Sequence, residues 1–318
     1  MLYHYCSNAT CFSILSGKNI RMSDISKSND SEELERFFPC LHRLIIQLYN
    51  DNPFPIKCEG LTDSDAIRYL VDFSEDIWRD KFAEGYFSNF VTCFSEKKDC
   101  LSQWRGYADN GNGCCIGFSK NAVDSYCRST NGVLQLKKVK YLTEDEFAEK
   151  TISLANSILD ELKDLREWIV SEMTKNDADP ETDDLMFFNF NGMIEDAFTE
   201  SLEYKSTDFA EEDEWRIFFA DQGYKIPEFV LNKEKKELTG PNLFSDTLNF
   251  LNNRIDFRWT ENDLIPFVPL KFSDFSECPI SEVWIGPKSR VRESDIKLLL
   301  RKHEYENIEV KFSGITYR

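Results

Sequence analysis

Residues Glu211–Ala220 read EEDEWRIFFA, and this stretch carries the clearest strand pattern in the chain. Its polar and apolar side chains alternate with a period of two, which is typical of a half-buried strand. We therefore expect Glu212, Glu214 and Arg216 to project from one side of a sheet. Two neighbouring carboxylates repel each other unless a cation, or a substrate that develops positive charge, lies between them. The same residues also fit a surface strand on which Arg216 neutralises the glutamates, because such ion pairs are common.

Shorter strand and helix patterns extend on both sides of this stretch. The chain has 318 residues and a hydrophobic fraction of 41%, which suffices for a large core. It contains no internal repeat and no low-complexity linker. We therefore predict one α+β domain over residues 1–318, with helical insertions at about 31–85 and 142–205. Further strands are predicted at Leu2–Cys6, Asn19–Ser23, Tyr86–Phe94, Cys114–Phe118, Gly132–Tyr141, Leu264–Phe267, Val283–Gly286 and Ile308–Phe312.

The negative charge is concentrated in one region. The net charge is −19, and residues 141–215 alone contain 23 acidic residues against 5 basic ones. This excess argues against a general nucleic-acid grip there, because phosphate contacts need Lys and Arg. The region suits a solvated face or a docking surface for a basic partner. A single-stranded nucleic acid would bind near the mildly basic stretch Lys288–Arg318.

The location and redox state follow from what the sequence lacks. The first residues, MLYHYCSNAT, contain neither the cationic nor the apolar region of a secretory signal, and no apolar run is long enough to cross a membrane. We therefore expect a cytoplasmic protein whose ten cysteines are reduced. No C-x-x-C spacing occurs and the three histidines are scattered, so we expect no metal site.

The N-terminal LYHYCS is a candidate binding element. It places Tyr3 and Tyr5 on one face of a strand and His4 on the other. Aromatic faces stack on bases, and an imidazole can bond a ribose hydroxyl. A lone histidine is more often a structural residue, and that interpretation stays open.

The central segment CFSEKKDCLSQWRGYADNGNGCCIGFS offers further polar and aromatic groups. Ser95 ends a strand, and Trp104 and Tyr107 lie on one face of a short helix. They form either a core-facing aromatic pair or part of a binding site. The DNGNG turn fits neither G-x-G-x-x-G nor a P-loop, so these phosphate sites have no support.

Taken together, these segments resemble the bacterial domain-of-unknown-function family numbered 2971. The similar pieces are LYHYCS, the IL–G element at Ile14–Gly17, SNDSEE at Ser28–Glu33, TCFS at Thr92–Ser95, LSQWRGYADNGNGCCIGFS, YKS, EEDEWRIFF and IGP at Ile285–Pro287. They occur in the expected order across nearly the whole chain. The family itself supplies no activity.

The order of these motifs also resembles, more distantly, ADP-ribosyltransferases of the His-Tyr-Glu kind. This resemblance implies a split mixed or antiparallel sheet and NAD as a substrate. Glu214, or else Glu212, would stabilise the positive charge on the ribose, and His4 would bond a ribose hydroxyl. Tyr107, or else Trp104, would stack on nicotinamide. The residues implied to contact NAD are Tyr3, His4, Tyr5, Ser95, Trp104, Tyr107 and Arg216.

The resemblance further implies a bacterial toxin or anti-phage effector that modifies a protein or a single-stranded nucleic acid. A toxin of this kind could bind an antitoxin through the acidic region 141–215. Two alternatives stay open. The first is a non-catalytic module that binds a nucleotide or a partner protein. The second is a nuclease that uses Asp30, Glu33, Glu212 and Glu214 with Mg²⁺, since carboxylate clusters hold such ions. The transferase interpretation requires His4 and Glu214 to face one cleft, and positions on opposite sides of the sheet would contradict it.

Overall fold

The computed structural model contains a large sheet with helices on both faces. It describes residues 1–25, 31–56, 63–72, 90–176, 190, 192–194, 196–197, 199–219, 250, 254–259 and 264–317. The strands are β1 (Leu2–Cys6), β2 (Asn19–Asp24), β3 (Phe90–Ser95), β4 (Cys114–Phe118), β5 (Leu134–Lys138), β6 (Lys140–Leu142), β7 (Tyr204–Ser206), β8 (Glu214–Phe219), β9 (Asp256–Trp259), β10 (Leu264–Lys271), β11 (Ile280–Ile285) and β12 (Glu309–Phe312). The helices are α1 (Asn8–Gly17), α2 (Ser31–Asp51), α3 (63–72), α4 (Leu101–Tyr107), α5 (Lys120–Ser129), α6 (Glu144–Asn176) and α7 (Glu293–Lys302). The predicted α+β class is confirmed.

A serine side chain caps the start of the first helix. Ser7 is the N-cap, and its hydroxyl accepts a hydrogen bond from the Thr10 amide at 3.1 Å. Serine suits this position, because a short side-chain oxygen reaches an unpaired amide of the first turn. Lys18 ends the helix in a left-handed conformation, with φ of 48°. The chain then turns directly into β2.

The main sheet has ten strands and is split. Its longest path runs β12-β11-β4-β1-β3-β2-β10-β9, and β8 and β5 extend from β3. The β11–β12 pair is parallel, and the other pairs are antiparallel. Ser95 at the end of β3 pairs with both Tyr3 and Glu214, so β1 and β8 occupy opposite edges of β3.

The second strand shares the β1 edge of β3. Its contact with β3 is limited to Phe90 and Val91, at the opposite end of β3 from Ser95. The other edge of β3 is already occupied by β8. Consequently β1 and β2 diverge over the middle of β3, and a gap opens between them. This divergence is the split in the sheet. The sheet is mixed because it also contains the parallel β11–β12 pair.

Each face of the sheet supports a separate core. Helices α1, α5 and α7 cover one face through Ile14, Val123 and Ile296. Helices α2, α3 and α6 cover the opposite face, where Phe37 and Ile158 belong to the same cluster as Val91 and Phe218 of the sheet. The two stretches predicted as helical insertions thus contribute α2, α3 and α6 to one layer, with α2 packed on α6.

The DNGNG turn packs closely against neighbouring main chain. Asp109, Asn110 and Gly111 all have positive φ, as Asn, Asp and Gly tolerate best. Gly113 approaches the main chain so closely that an added Cβ would lie 2.1 Å from the Cys6 carbonyl oxygen. Its own carbonyl accepts a hydrogen bond from Gly286 of the IGP motif at 3.0 Å. Two of the sequence motifs are therefore explained by main-chain packing.

Several predicted boundaries differ from the observed ones. The stretch 132–141 forms two strands, and β9 lies where the sequence predicts no strand. Parts of the helical insertions predicted at about 31–85 and 142–205 lie outside the described residues. The nine cysteines that are described form no disulfide. Of the helices within the described ranges, none is long and apolar enough to span a membrane.

Candidate active site

A cavity of about 350 Å³ lies at the split between β1 and β2. Its floor is the middle of β3, which neither neighbour covers. Most of the residues selected from the sequence reach this cavity. The lining residues are Tyr3, His4, Tyr5, Arg21, Ser23, Asp24, Val91, Thr92, Cys93, Phe94, Ser95, Gln103, Tyr107, Glu212, Glu214, Arg258 and Ile265.

His4 bridges the gap in the sheet. Its Nδ1 lies 3.0 Å from the Cys93 carbonyl oxygen, and its ring packs edge-on against Phe94. A carbonyl can only accept, so Nδ1 must carry the proton. Burial lowers the pKa of His4, and the ring is therefore neutral near pH 7. In the neutral ring the other nitrogen, Nε2, is a hydrogen-bond acceptor, which suits a hydroxyl donor.

Glu214 is the most deeply buried carboxylate of the cavity wall. Arg216 donates to it through Nε and Nη2, at 2.8 and 3.2 Å, and Lys205 Nζ lies 3.4 Å away. Burial alone would raise the pKa of Glu214, but the charges of Arg216 and Lys205 outweigh it and lower the pKa to about 2. Glu214 is therefore ionised at neutral pH.

Glu212 reaches the same cluster from a turn rather than from the strand. It ends a 3-10 helix at Thr207–Glu212, and Asp213 then reverses direction in a left-handed conformation with φ of 48°. The expectation that Glu212 and Glu214 project from one side of the same strand is therefore wrong, because only Glu214 belongs to the strand. Lys205 Nζ nevertheless lies 2.6 Å from Glu212 Oε2, and the Tyr107 hydroxyl donates to Oε1. The turn and the strand thus place both carboxylates against one ammonium.

The half-buried character predicted for β8 is also corrected. Five of the six residues from Glu214 to Phe219 are buried, because a hydrophobic cluster packs against each face of the strand. Arg216 is only 2% exposed and also donates to the Leu202 carbonyl at 3.0 Å. Its place beneath Glu214 fits charge compensation better than direct ligand contact.

His4 and Glu214 reach the cavity from different faces of the sheet. Tyr3, Ser95 and Glu214 are cross-strand partners, so their side chains share a face, while His4 points to the other. This is the placement that was expected to contradict the transferase, because a continuous sheet would separate the two residues. Here the gap between β1 and β2 lets one cavity contact both.

The aromatic residues of β1 and α4 have structural partners. Tyr5 donates to the Lys97 carbonyl at 2.8 Å and packs edge-on against Trp104, with ring centroids 5.0 Å apart. Trp104 is 0% exposed and donates to Asp99, so it presents no ring face to a ligand. Tyr107 is 39% exposed at the cavity and remains the aromatic residue that can stack.

Two further hydroxyls on the lining face are buried. Tyr3 lies in the same buried cluster as Tyr5 and Trp104, and burial together with Glu282 raises its pKa to about 12. Ser95 donates to the Glu212 carbonyl at 2.6 Å and accepts from the Lys97 amide. Ser95 therefore fixes the position of the Glu212 turn.

The carboxylates proposed for a nuclease do not assemble into a described metal site. Asp30 lies outside the described residues, as does the side chain of Glu33. Glu212 and Glu214 already share the Lys205 ammonium. Within the described ranges, no group of three or more His, Cys, Asp or Glu side chains is placed to hold a metal ion.

The acidic region 141–215 is partly neutralised where it is described. Glu200 pairs with Lys150 at 2.6 Å, and Glu203 pairs with Lys140 at 3.0 Å. Both contacts are made by lysines of the chain itself. They leave the prediction of a basic partner untested.

Glu212, Glu214 and Lys205 lie in a stretch of the chain that matches a family model. Residues 103–217 match the family described as "Protein of unknown function (DUF2971)". The match covers a little over a third of the chain and supports the resemblance over α4, β7 and most of β8. It does not extend to β1. No match was found among curated proteins or solved structures.

Lys205 is the main site residue that the sequence patterns did not indicate. It belongs to the YKS motif, and its side chain is 0% exposed between two carboxylates. A lysine in a short polar motif upstream of Glu-x-Glu was the available signal. Arg21 and Arg258 were also missed, because they lie on strands that carry no motif.

Proposed function

We propose that this protein is an ADP-ribosyltransferase that uses NAD as a substrate. The single observation that carries the proposal is the cavity at the split sheet, which is lined by neutral His4, by ionised Glu214 and by the Glu212 carboxyl group. Such a cavity offers a hydroxyl acceptor at one wall and fixed negative charge at another. Both suit a ribose that becomes positively charged during cleavage.

The proposed reaction exchanges one bond to the ribose for another. The bond between ribose C1′ and the nicotinamide nitrogen breaks, and nicotinamide leaves with the electron pair. An acceptor nucleophile then bonds to C1′ and releases its proton. The carboxylates stabilise the positive charge on the ribose in between, and His4 Nε2 accepts a hydrogen bond from a ribose hydroxyl. The Tyr107 ring stacks on nicotinamide.

The two glutamates have different parts in this proposal. The Glu212 side chain is 14% exposed, against 6% for Glu214, and Glu214 is tied to Arg216 through both oxygens. We assign direct contact with the ribose to Glu212. Glu214 supplies a second fixed charge and holds Lys205 and Arg216 in place.

The test is release of nicotinamide from NAD by the purified protein in a bacterial lysate. NAD labelled in its adenylate phosphate also reports transfer to macromolecules, and protease- and nuclease-treated samples identify the acceptor. We expect Glu212→Gln to lower release by at least about tenfold, since one charged interaction with a transition state contributes several kcal/mol. Glu211→Gln is the matched control, because Glu211 precedes Glu212 in the same turn but is exposed.

The Glu214→Gln variant needs a stability control. It leaves two buried cations with one carboxylate, so lost activity has to be compared with the melting temperature. Absence of nicotinamide release from the folded wild type under every condition contradicts the transferase.

The closed ion-pair network also favours one alternative, a non-catalytic nucleotide-binding module. Lys205 and Arg216 already satisfy Glu214, as expected of a purely structural cluster. A module of this kind would bind NAD without cleaving it. Bound but intact NAD would support it.

A further inference from the structure

A second cavity of about 330 Å³ adjoins the first on the side of β2 and α1. The two cavities share six lining residues, so they form one continuous cleft. Ser7 and Thr10 from the start of α1 lie on the wall of the second cavity. The shared residues are His4, Tyr5, Arg21, Ser23, Tyr107 and Arg258.

Arg21 is held in a fixed position within this cleft. Its Nη2 donates to the Ser13 hydroxyl at 3.0 Å, and its guanidinium carbon lies 4.5 Å from the centre of the Phe267 ring. Stacking on a ring leaves the edges of a guanidinium available for hydrogen bonds. Arg21 is therefore oriented without being neutralised by these two contacts.

Arg258 lies on β9 opposite Ile265 and faces the same cleft. Its Nε is buried and has no hydrogen-bond partner among the described residues. Burial and the positive charge of Arg258 both lower the pKa of Arg21, and the charge of Asp256 acts in the opposite direction. Neither arginine forms an ion pair within the described part of the chain.

The charged groups are distributed unevenly along the cleft. The Glu212–Glu214 pair, which is paired with Lys205 and Arg216, and Asp24 line the first cavity only, whereas Arg21 and Arg258 line both cavities. A buried guanidinium nitrogen without an acceptor is costly, and two adjacent cations stabilise each other only through a shared anion. Phosphate oxygens match the planar guanidinium in geometry as well as charge.

We propose that Arg21 and Arg258 form a binding site for the diphosphate group of a nucleotide. The diphosphate lies between the two guanidinium groups, and the attached ribose extends towards His4 and the glutamates. The identification of that nucleotide as NAD rests on the proposed function. The diphosphate site itself does not, because it requires binding only.

The test compares ADP with adenosine by isothermal titration calorimetry on the full chain. We expect the wild type to bind ADP, and Arg21→Gln and Arg258→Gln each to weaken that binding at least tenfold. The affinity for adenosine, which lacks phosphate, should differ less than twofold between the wild type and these variants. Arg128→Gln is the control, since Arg128 lies on the surface of α5 with a side chain that is 79% exposed.

Further variants and ligands keep the outcomes separate. Arg258→Lys keeps a charge but loses the planar fork, so partial recovery relative to Arg258→Gln supports a charged site even if the glutamine variant melts early. ADP affinity that is the same in both glutamine variants and the wild type overturns the proposal. Binding of a single-stranded oligonucleotide, but not ADP, through these arginines also overturns it and assigns them to the acceptor.

Failure of the proposed function gives a different result. If ADP binding depends on the arginines while NAD is never cleaved, the diphosphate site stands and the transferase does not. If NAD is cleaved with the same KM in Arg21→Gln and Arg258→Gln, the transferase stands and the diphosphate site does not.

Discussion

The ammonium nitrogen of Lys205 lies 2.6 Å from a carboxylate oxygen of Glu212, and no part of this lysine side chain reaches solvent. The same nitrogen is 3.4 Å from Glu214. Lys205 thus links the turn that carries Glu212 to the strand that carries Glu214. Without it, two carboxylates would face each other across the cavity wall. Lys205 therefore positions the pair on which the proposed chemistry depends.

We expect Lys205→Met to destabilise the fold and to reduce nicotinamide release. Removing one partner of a buried charge cluster costs about 3–5 kcal/mol. Lys150→Met is the control, because Lys150 pairs with Glu200 on a partly exposed surface, where such a pair contributes less than about 1 kcal/mol. Urea unfolding of both variants checks the difference. Equal losses of unfolding free energy would contradict the role assigned to Lys205.

The low pKa of Glu214 predicts loss of stability in acid. Burial works against ionisation, but Arg216 and Lys205 lower the pKa to about 2 from an ordinary value of 4.5. A carboxyl whose pKa is lower in the folded state stabilises the fold above its unfolded pKa. This stabilisation, on the order of 3 kcal/mol, is lost as the pH falls from about 5 to about 2.

Urea unfolding at several pH values checks this expectation. The unfolding free energy of the wild type should fall more steeply below about pH 5 than that of Glu214→Gln. The comparison with the variant is needed because other carboxyls, including Glu282, also have lowered pKa values. Parallel curves for the two proteins would show that Glu214 does not carry the effect.

The sequence predicted the strands better than it predicted their arrangement. β1 and β4 were predicted with their observed bounds, because a five-residue apolar or aromatic run is consistent with a buried strand and too short for a typical helix. Alternation alone does not specify partners, so nothing in it indicated that β1 and β2 would diverge over β3. That divergence creates the cavity.

The site was predicted in part for the same reason. Period-two alternation was extended through Glu212, although Asp213 adopts a left-handed conformation that Asp tolerates and that ends any strand. The two carboxylates still meet, but through Lys205 rather than through a shared strand face. Trp104 illustrates the opposite case, since an aromatic residue in a motif proved to be core.

The close approach at Gly113 predicts a large effect of a small substitution. Gly113→Ala would place a methyl group 2.1 Å from the Cys6 carbonyl oxygen, at the end of β1. We expect a loss of more than about 3 kcal/mol, as for other severe steric conflicts with the main chain. Gly106→Ala is the matched control, because a methyl group added there would have no neighbour within 4 Å and α4 favours alanine by about 1 kcal/mol. Thermal unfolding should show a lower melting temperature for Gly113→Ala but not for Gly106→Ala.

Because the tautomer of His4 is fixed, the roles of its two ring nitrogens can be tested separately by mutation. Asparagine can donate to the Cys93 carbonyl from nearly the position of Nδ1, but it has no group in place of Nε2. We therefore expect His4→Asn to melt within a few degrees of the wild type and to release nicotinamide at least about tenfold more slowly. Nicotinamide release at the wild-type rate would remove His4 from the proposed chemistry.

The pH dependence of nicotinamide release gives an independent check on His4. Protonation turns Nε2 from an acceptor into a donor, so the proposed bond to a ribose hydroxyl is lost when the ring becomes charged. Burial holds the pKa of His4 below its ordinary value of 6.5, and the rate should therefore stay constant as the pH falls through 6.5 and decline only below it. Titration of the His4 ring proton by NMR locates the same transition in the free protein. A decline in rate centred at or above 6.5 would mean that His4 is not the group being titrated.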